Sequence, residues 1–232
     1  MSGKPPSLVG KCLTAVRRDG FGPFCRKVAG RLERDLLVTN AADWYRADLC
    51  ERPAAAAGSA EATFRLDATE EVIAWLTELS GAFGWAYVQE EVDAARTWGH
   101  LFGLLRVEGQ RAGYIKVGLS QAYVTDFERC IAVPHGSAYI YDTFVHPEHR
   151  GRSLAQLMIA QALEGLRGRE IRWAWCHIPP WNVASIKSFT KNGFKRIKRI
   201  RYLRLLGWPL YSCQPGKLLA RAAGSVPAGQ PL

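Results

Sequence analysis

The chain has 232 residues, 48% hydrophobic and 22% charged, and its 31 Lys and Arg outnumber 21 Asp and Glu for a formal net charge of +10. These proportions exclude a disordered or low-complexity chain and are sufficient to bury a core in one domain with elaborations. No run approaches the roughly eighteen apolar residues a membrane-spanning helix needs, and the positive balance points to acidic partners: an anionic cofactor or substrate, a nucleic acid or a membrane surface.

In chain order, Leu8 to Leu32 carries a basic helical pattern broken at Gly20-Phe21-Gly22-Pro23, and Leu36 to Asn40 reads as a short strand ahead of Trp44 and Tyr45. A basic stretch could lie on a membrane, but its amphipathicity is weak, so packing against the rest of the chain is favoured over peripheral membrane contact. The small, featureless run Pro53 to Ser59 reads as a linker and sets off an N-terminal extension over residues 1–59. The first residues lack the apolar core of a secretion signal. Six cysteines (Cys12, Cys25, Cys50, Cys130, Cys176, Cys213) are scattered without CxxC or metal-ligand spacing, so reduced thiols and a cytoplasmic location are expected.

The main domain is expected over 60–212. Ala62 to Asp67 is its first strand, and Thr69-Glu70-Glu71 opens a helix with acidic residues against its positive end, closing by Gly81. A second helix runs from about Trp85 to Arg96. His100 to Val107 and Ala112 to Leu119, joined at Glu108-Gly109-Gln110, form a hairpin. Residues 120–136 then make a connection long enough to serve as a substrate lid. Tyr139 to Val145 is a β-branched and aromatic strand, followed by a turn and a helix on which Ala155, Met158, Ile159, Ala162, Leu163 and Leu166 share one face. Ile171 to Ile178 is a further strand, whose period of two places Trp173, Trp175 and His177 on one face. The basic run Lys195 to Arg204 has no accompanying nucleic-acid module, so a basic sheet edge near an anionic cofactor or substrate is favoured over nucleic-acid binding. Residues 213–232 read as an irregular tail.

The turn His149-Arg150-Gly151-Arg152-Ser153-Leu154-Ala155 stands where a strand hands over to a helix. Helix starts present free N–H groups and partial positive charge, so the turn can hold a phosphate, and Arg150 and Arg152 add formal charge. One glycine between two arginines equally describes an ordinary surface turn. Some thirty residues on, Asn182-Val-Ala-Ser185-Ile-Lys-Ser-Phe189-Thr-Lys-Asn-Gly193-Phe194 supplies a second motif. Together they resemble the GNAT superfamily of acyl-CoA-dependent N-acyltransferases. Its first motif, V-x-P-x-x-R-G-x-G-x-G/A, is met by Val145, Pro147, Arg150, Gly151 and Ala155. Its second, N-x-x-A-x-x-x-Y-x-x-x-G-F, is met by Asn182, Gly193 and Phe194. Ser153 replaces the middle glycine, Phe189 a frequent tyrosine and Ser185 an alanine. The resemblance covers roughly residues 60–205.

The resemblance implies an α/β fold: a mixed sheet of about six to seven strands, flanked by helices and splayed between the family's fourth and fifth strands (137–145 and 171–178 here). It implies acetyl-CoA or another acyl-CoA as co-substrate, and no metal. The pantetheine would lie on backbone groups of Phe144 and Val145, and the pyrophosphate on the N–H groups of Arg150, Gly151, Arg152, Ser153, Leu154 and Ala155. Asn182, Ser185 and Phe189 would complete the coenzyme site. Ser153 keeps its N–H, so the cradle survives if its φ is negative, whereas a positive φ would shift the loop.

The implied reaction is attack of a primary amine, on a small molecule or peptide, on the thioester. One alternative is transfer of a longer acyl chain from CoA or a carrier protein, with Trp173, Trp175 and Trp181 lining a channel. Another is a catalytically silent acyl-CoA-binding protein. Attack needs a neutral amine and therefore a proton acceptor, and the oxyanion needs an N–H, which the strand near Val145 could supply. His177 is the leading base: it lies five residues before Asn182, where the bacterial ribosomal-protein alanine acetyltransferases, which the chain is similar to here, place a glutamate. The plainer reading is a histidine packed between tryptophans. Asp142 is the second candidate, a carboxylate in an apolar strand that is costly unless paired or facing a cleft. Its plainer reading is a salt bridge to an arginine. Because Phe189 lacks a hydroxyl, the leaving thiolate would be protonated by Tyr139, Tyr141, Tyr202 or water.

Overall fold

The computed structural model describes residues 37–51, 61–83, 89–127, 129–205, 208–213, 215 and 217–219. The basic helix read in 8–32, the linker read at 53–59, and most of the tail lie outside these residues. The elements are β1 (Leu37–Asp48), β2 (Ala62–Arg65), α1 (Thr69–Phe83), α2 (Gln89–Thr97), β3 (Leu101–Val107), β4 (Gln110–Gly118), β5 (Gln121–Val124), β6 (Arg129–Ala132), β7 (Ser137–Val145), α3 (Leu154–Arg167), β8 (Trp173–Ile178), α4 (Val183–Lys191), β9 (Lys195–Leu205) and β10 (Trp208–Tyr211). Among the described residues no helix is long and apolar enough to cross a membrane.

Two compact units divide the chain, one of residues 41–200 with 213–232 and one of 1–40 with 201–212. In the smaller, the end of β9 pairs antiparallel with β10, Tyr202 standing opposite Tyr211. In the larger, the strand order is β9-β1-β8-β7-β4-β3-β2. β7 and β8 are parallel, whereas β1–β8, β2–β3, β3–β4 and β4–β7 are antiparallel. The α/β class and the mixed sheet expected from the sequence are both present.

Alternation along β4 sends its side chains to two cores. Ile115 and Val117 join Ala138, Ile140, Ala174, Cys176 and Ile178 under α3, which buries Leu157, Met158, Ile159, Ala162, Leu163 and Leu166. Tyr114 joins Phe102 and Leu104 on the other face, under Val72, Trp75, Leu76 and Leu79 of α1. Loading both faces with apolar side chains makes the sheet a fixed platform, which is what a site built at its edge requires.

The structure revises three expectations. Leu36–Asn40 was expected to be a short strand of a separate extension. Instead β1 continues to Asp48 and lies in the sheet, with Trp44, Arg46 and Asp48 opposite His177, Trp175 and Trp173 of β8. A strand whose partner lies so far along the chain leaves no local signal of the pairing. Residues 120–136 form an antiparallel hairpin of β5 and β6 around a short 3-10 helix, Thr125–Phe127. With Ala122, Val124, Phe127 and Ile131 buried, this segment is a packed wall and not a loose lid. Finally, Ser153, just before α3, has φ of 57° and ψ of 18°, and forms no side-chain cap. The turn therefore keeps a glycine-like left-handed geometry with serine in it, beside Gly151 at φ of 79°.

Close to the site, β1 and β9 are joined through Asp43. Its buried carboxylate accepts hydrogen bonds of 2.8 Å from both Nε and Nη2 of Arg199, with Nη1 of Arg196 at 3.5 Å. The Arg199 hydrogen bonds hold its carboxyl below the usual range, opposed by burial and aided by the charges of Arg199 and Arg196.

This geometry sets two expected outcomes. Left-handed backbone costs a non-glycine residue about 1–2 kcal/mol, and a glycine returns part of that through the unfolded chain, so Ser153→Gly should be more stable by about 0.5–1 kcal/mol in urea melts. Asp43 has a folded pKa below its unfolded one. Its contribution is thus present above the ordinary carboxylate range and lost as pH falls below about 4. In acid titrations followed by circular dichroism, Asp43→Asn should be less stable than the parent at neutral pH, and the difference should shrink towards pH 3.

Candidate active site

β7 and β8 run together only as far as Ile140 opposite Cys176. Beyond that point β7 stays paired with β4 up to Gly113 opposite Val145 and parts from β8. A bulge accompanies the parting: Ile140 stands opposite Val117 and Asp142 opposite Lys116, leaving Tyr141 as the extra residue. An extra residue bends its strand and re-aims the side chains after it, which is why bulges gather beside active sites. The result is a cleft floored by Ile140 to Thr143 of β7 and Cys176 to Ile178 of β8, closed by Asn182, Ser185 and Phe189 of the α4 segment and by Asp126.

One wall is polar. Nε2 of His177 lies 3.1 Å from Oδ2 of Asp126, and its Nδ1 lies 2.5 Å from the Tyr139 hydroxyl. An ionised carboxylate only accepts, so Nε2–H donates to Asp126, and Nδ1 then accepts from Tyr139. Burial raises the Tyr139 hydroxyl well above its ordinary value, so it stays protonated and donates. Trp44 packs at 5.6 Å from the Tyr139 ring and 5.7 Å from that of His177, with Phe127 at 6.0 Å from His177. His177 is thus packed by Trp44, Phe127 and Tyr139, not between tryptophans, with both nitrogens engaged, and it lines the cleft.

Asp142 lies in the same cleft, its Oδ2 3.1 Å from Nζ of Lys116. Its partner is a buried lysine, not an arginine. The Lys116 ammonium sits 5.5 Å from the Tyr114 ring and 5.6 Å from that of Phe102, where their π faces help to hold it. The Tyr141 hydroxyl is 2.9 Å from Nδ1 of His100, whose Nε2 is 2.8 Å from the Gln121 carbonyl. Since a carbonyl accepts, Nε2 of His100 carries the proton and Tyr141 donates to Nδ1. Of the three tyrosines considered for the thiolate, Tyr141 lines the cleft, Tyr139 is buried behind His177, and Tyr202 belongs to the smaller unit.

Of the motif residues, Asn182, Ser185 and Phe189 line the cleft, whereas Phe144, Val145 and Arg150 to Ala155 lie outside its lining. Asn182 caps α4 by accepting the Ser185 N–H at 3.1 Å, and Phe189 is buried edge-on against Phe194 at 5.0 Å. The Phe144 ring packs on Tyr114 at 5.4 Å, on the face towards α1, and Phe144 stands opposite Tyr114 in the ladder to β4. The Val145 carbonyl accepts from Nε of Arg150 at 3.1 Å, tying the strand end to the turn. Gly151, Arg152 and Ser153 are exposed, Ala155 is half-buried, and Leu154 is buried so that only its main chain could serve. The basic run of β9 is partly neutralised, with Arg196 and Arg199 on Asp43 and Nζ of Lys195 2.9 Å from Glu51. Among the described residues no group of three or more His, Cys, Asp or Glu side chains could hold a metal ion.

Sequence reasoning missed Asp126, Lys116 and His100. Asp126 carried one faint signal, its position in a long connection. Lys116 is buried opposite Asp142 through the pairing of β4 with β7, which no local signal marks.

Residues 61–194 match the family model described as Acetyltransferase (GNAT) family. Among solved structures, the fold is similar to a tandem GNAT protein from the clavulanic acid biosynthesis pathway (19% identity, TM-score 0.50, 73% of this chain and 54% of that one). It is also similar to a GCN5-related N-acetyltransferase from Kribbella flavida (16%, 0.51, 78% and 64%) and to an acetyltransferase of the GNAT family from Colwellia psychrerythraea (14%, 0.52, 77% and 61%). The chain spans less than two thirds of the length of each, and at such identities the likeness speaks for the fold alone. No curated protein matches the sequence. The family model covers more than half of the chain and spans the cleft from β2 to the end of α4, and on that ground the chain belongs to the acetyltransferase (GNAT) family.

Proposed function

We propose that the protein transfers an acyl group, most simply acetyl, from acyl-CoA to a primary amine of a small molecule or peptide. The observation that carries this is the parting of β7 from β8 beside an α3 start that no side chain caps. Parted strands offer main-chain donors and acceptors to an extended, amide-containing arm, as any open sheet edge does. The first-turn amides of α3, with those of the Arg150–Ser153 turn, suit a diphosphate, to which Arg150 and Arg152 add charge. In this proposal Val145 contributes backbone groups to the arm, whereas the register turns those of Phe144 to β4, and Asn182, Ser185 and Phe189 form the facing wall. Bound there, the coenzyme supplies an activated thioester.

The protein's own groups would then complete the transfer. A main-chain N–H near Val145 faces the developing oxyanion, and Asp142, paired with Lys116, draws the ammonium form of the acceptor into the cleft. The polar wall around His177 receives the proton lost by the nitrogen. With Phe189 lacking a hydroxyl and the Tyr141 proton directed to Nδ1 of His100, the leaving thiolate takes its proton from water. A long-chain reading finds less support. Trp173 and Trp175 are covered by the Arg46 guanidinium, 4.0 Å and 5.5 Å from their ring centres, and do not line the cleft.

Thermal melts should show stabilisation by acetyl-CoA at least equal to that by palmitoyl-CoA, and the absence of any shift with either would remove the coenzyme from this cleft. Replacing Arg150 and Arg152 together by Ala should weaken acetyl-CoA binding by about tenfold, less at high salt, as loss of charge-assisted contacts to a phosphate requires. Free-thiol release should be followed with a panel of amines: glucosamine, spermidine and a peptide with a free N-terminal alanine. Asp142→Asn should lower release at least about tenfold with stabilisation by acetyl-CoA retained. The double variant Asp142→Asn, Lys116→Met removes the orphaned buried cation, so recovered activity there would assign Asp142 to folding and not to the reaction.

A further inference from the structure

His177 and Asp126 form one unit, yet only one of them can meet an incoming amine. The imidazole is 10% exposed, packed among Trp44, Phe127 and Tyr139, with a proton already on Nε2 and a hydroxyl donating to Nδ1. To accept another proton, Nδ1 would have to displace the hydrogen of a fully buried tyrosine. The carboxylate of Asp126 is 32% exposed and lines the cleft. It is also held rigidly. Its 3-10 helix is flanked by Val124 and Phe127, both fully buried, and Nε2–H of His177 fixes its orientation from behind. A carboxylate restrained by fixed donors needs little reorganisation during a reaction.

From this geometry we infer that Asp126 is the residue that contacts the acceptor amine and takes its proton, while His177 and Tyr139 are positioning residues behind it. The inference rests on the acyltransferase reading of the cleft. In the step, the acceptor gives up its ammonium proton to solvent, the neutral nitrogen bonds to the thioester carbonyl carbon, and its surplus proton passes to an Asp126 oxygen. The carbon–sulfur bond then breaks with its electron pair on sulfur, the thiolate is protonated from water, and Asp126 returns its proton to solvent. His177 serves as the hydrogen-bond donor that keeps the carboxylate in place. Beyond its place in a long connection, nothing in the local sequence marks Asp126. It reaches the site because the β5–β6 hairpin folds back over β8.

The test is steady-state thiol release with acetyl-CoA and the best acceptor among the glucosamine, spermidine and alanyl-peptide panel, with acetyl-CoA melts run beside it. Asp126→Asn should lower kcat about 100-fold, with KM for acetyl-CoA and its thermal stabilisation nearly unchanged, and Asp126→Glu should recover part of the loss. His177→Gln places an amide N–H where Nε2–H was and should keep most of the activity, whereas His177→Phe should lose at least about tenfold in kcat. Equal inactivity of His177→Gln and His177→Phe beside a mild Asp126→Asn would make His177 the proton acceptor and overturn the assignment. Asp126→Asn turning over like the parent would do the same. Should Asp126→Asn fail to fold, the comparison of Gln and Phe at 177 decides alone. A parent protein that acetyl-CoA does not stabilise and that releases no thiol would sink the acyltransferase reading itself, and this assignment with it. An active parent with an indifferent Asp126 sinks only the assignment.

Discussion

Everything at the site depends on where a single ladder of hydrogen bonds stops. β7 must pair with β8 to be part of the sheet and must leave it to make a cleft. It does both within nine residues, switching at Ile140, with Tyr141 inserted as the extra residue against β4. A bulge is a cheap way to achieve this, because the opposite ladder to β4 resumes at Asp142 and little pairing is lost on that side. The inserted residue also changes which side chains face where. Tyr141 and Asp142, neighbours in sequence, both end up lining the cleft, one held by His100 and the other by Lys116.

Around that opening the protein places polar groups in pairs. Asp142 is matched by a buried lysine, His177 is spanned by a tyrosine and a carboxylate, and His100 by a tyrosine and a carbonyl. Buried polar groups survive only when their hydrogen bonds are made, and networks of this kind are rigid for the same reason. Each pair satisfies its inner member and leaves its outer member, Asp142, Asp126 or Tyr141, at the cleft. The rigid interior thus orients the groups that face an incoming molecule.

The turn where the proposed function seats the coenzyme is built more economically, from main chain. The turn before α3 holds Gly151 and Ser153 in left-handed geometry so that successive amides converge, and Arg150 ties the turn back to the end of β7 through the Val145 carbonyl. Serine in that conformation carries strain that glycine would not. The turn nevertheless keeps its shape, because the apolar face of α3 is anchored in the core by Leu154, Leu157 and Met158 directly behind it.

The sequence alone determined most of the elements and the two motif turns, because both are written locally. Helical spacing marks α3, β-branched and aromatic runs mark β7 and β8, and two contiguous motifs place Gly151 and Asn182 at the starts of helices. Alternation also placed Trp173, Trp175 and His177 on one face of β8, as the register with β1 shows. The acceptor half was largely hidden. That β1 completes the sheet, that Lys116 stands across from Asp142, and that Asp126 meets His177 are all matters of pairing between distant segments. Side-chain periodicity says which way a residue points but not which strand lies beside it. Only the tertiary structure could turn a lone histidine and a lone aspartate into the ends of one hydrogen-bonded chain, because register and hairpin packing are settled by the whole core and not by the residues they bring together.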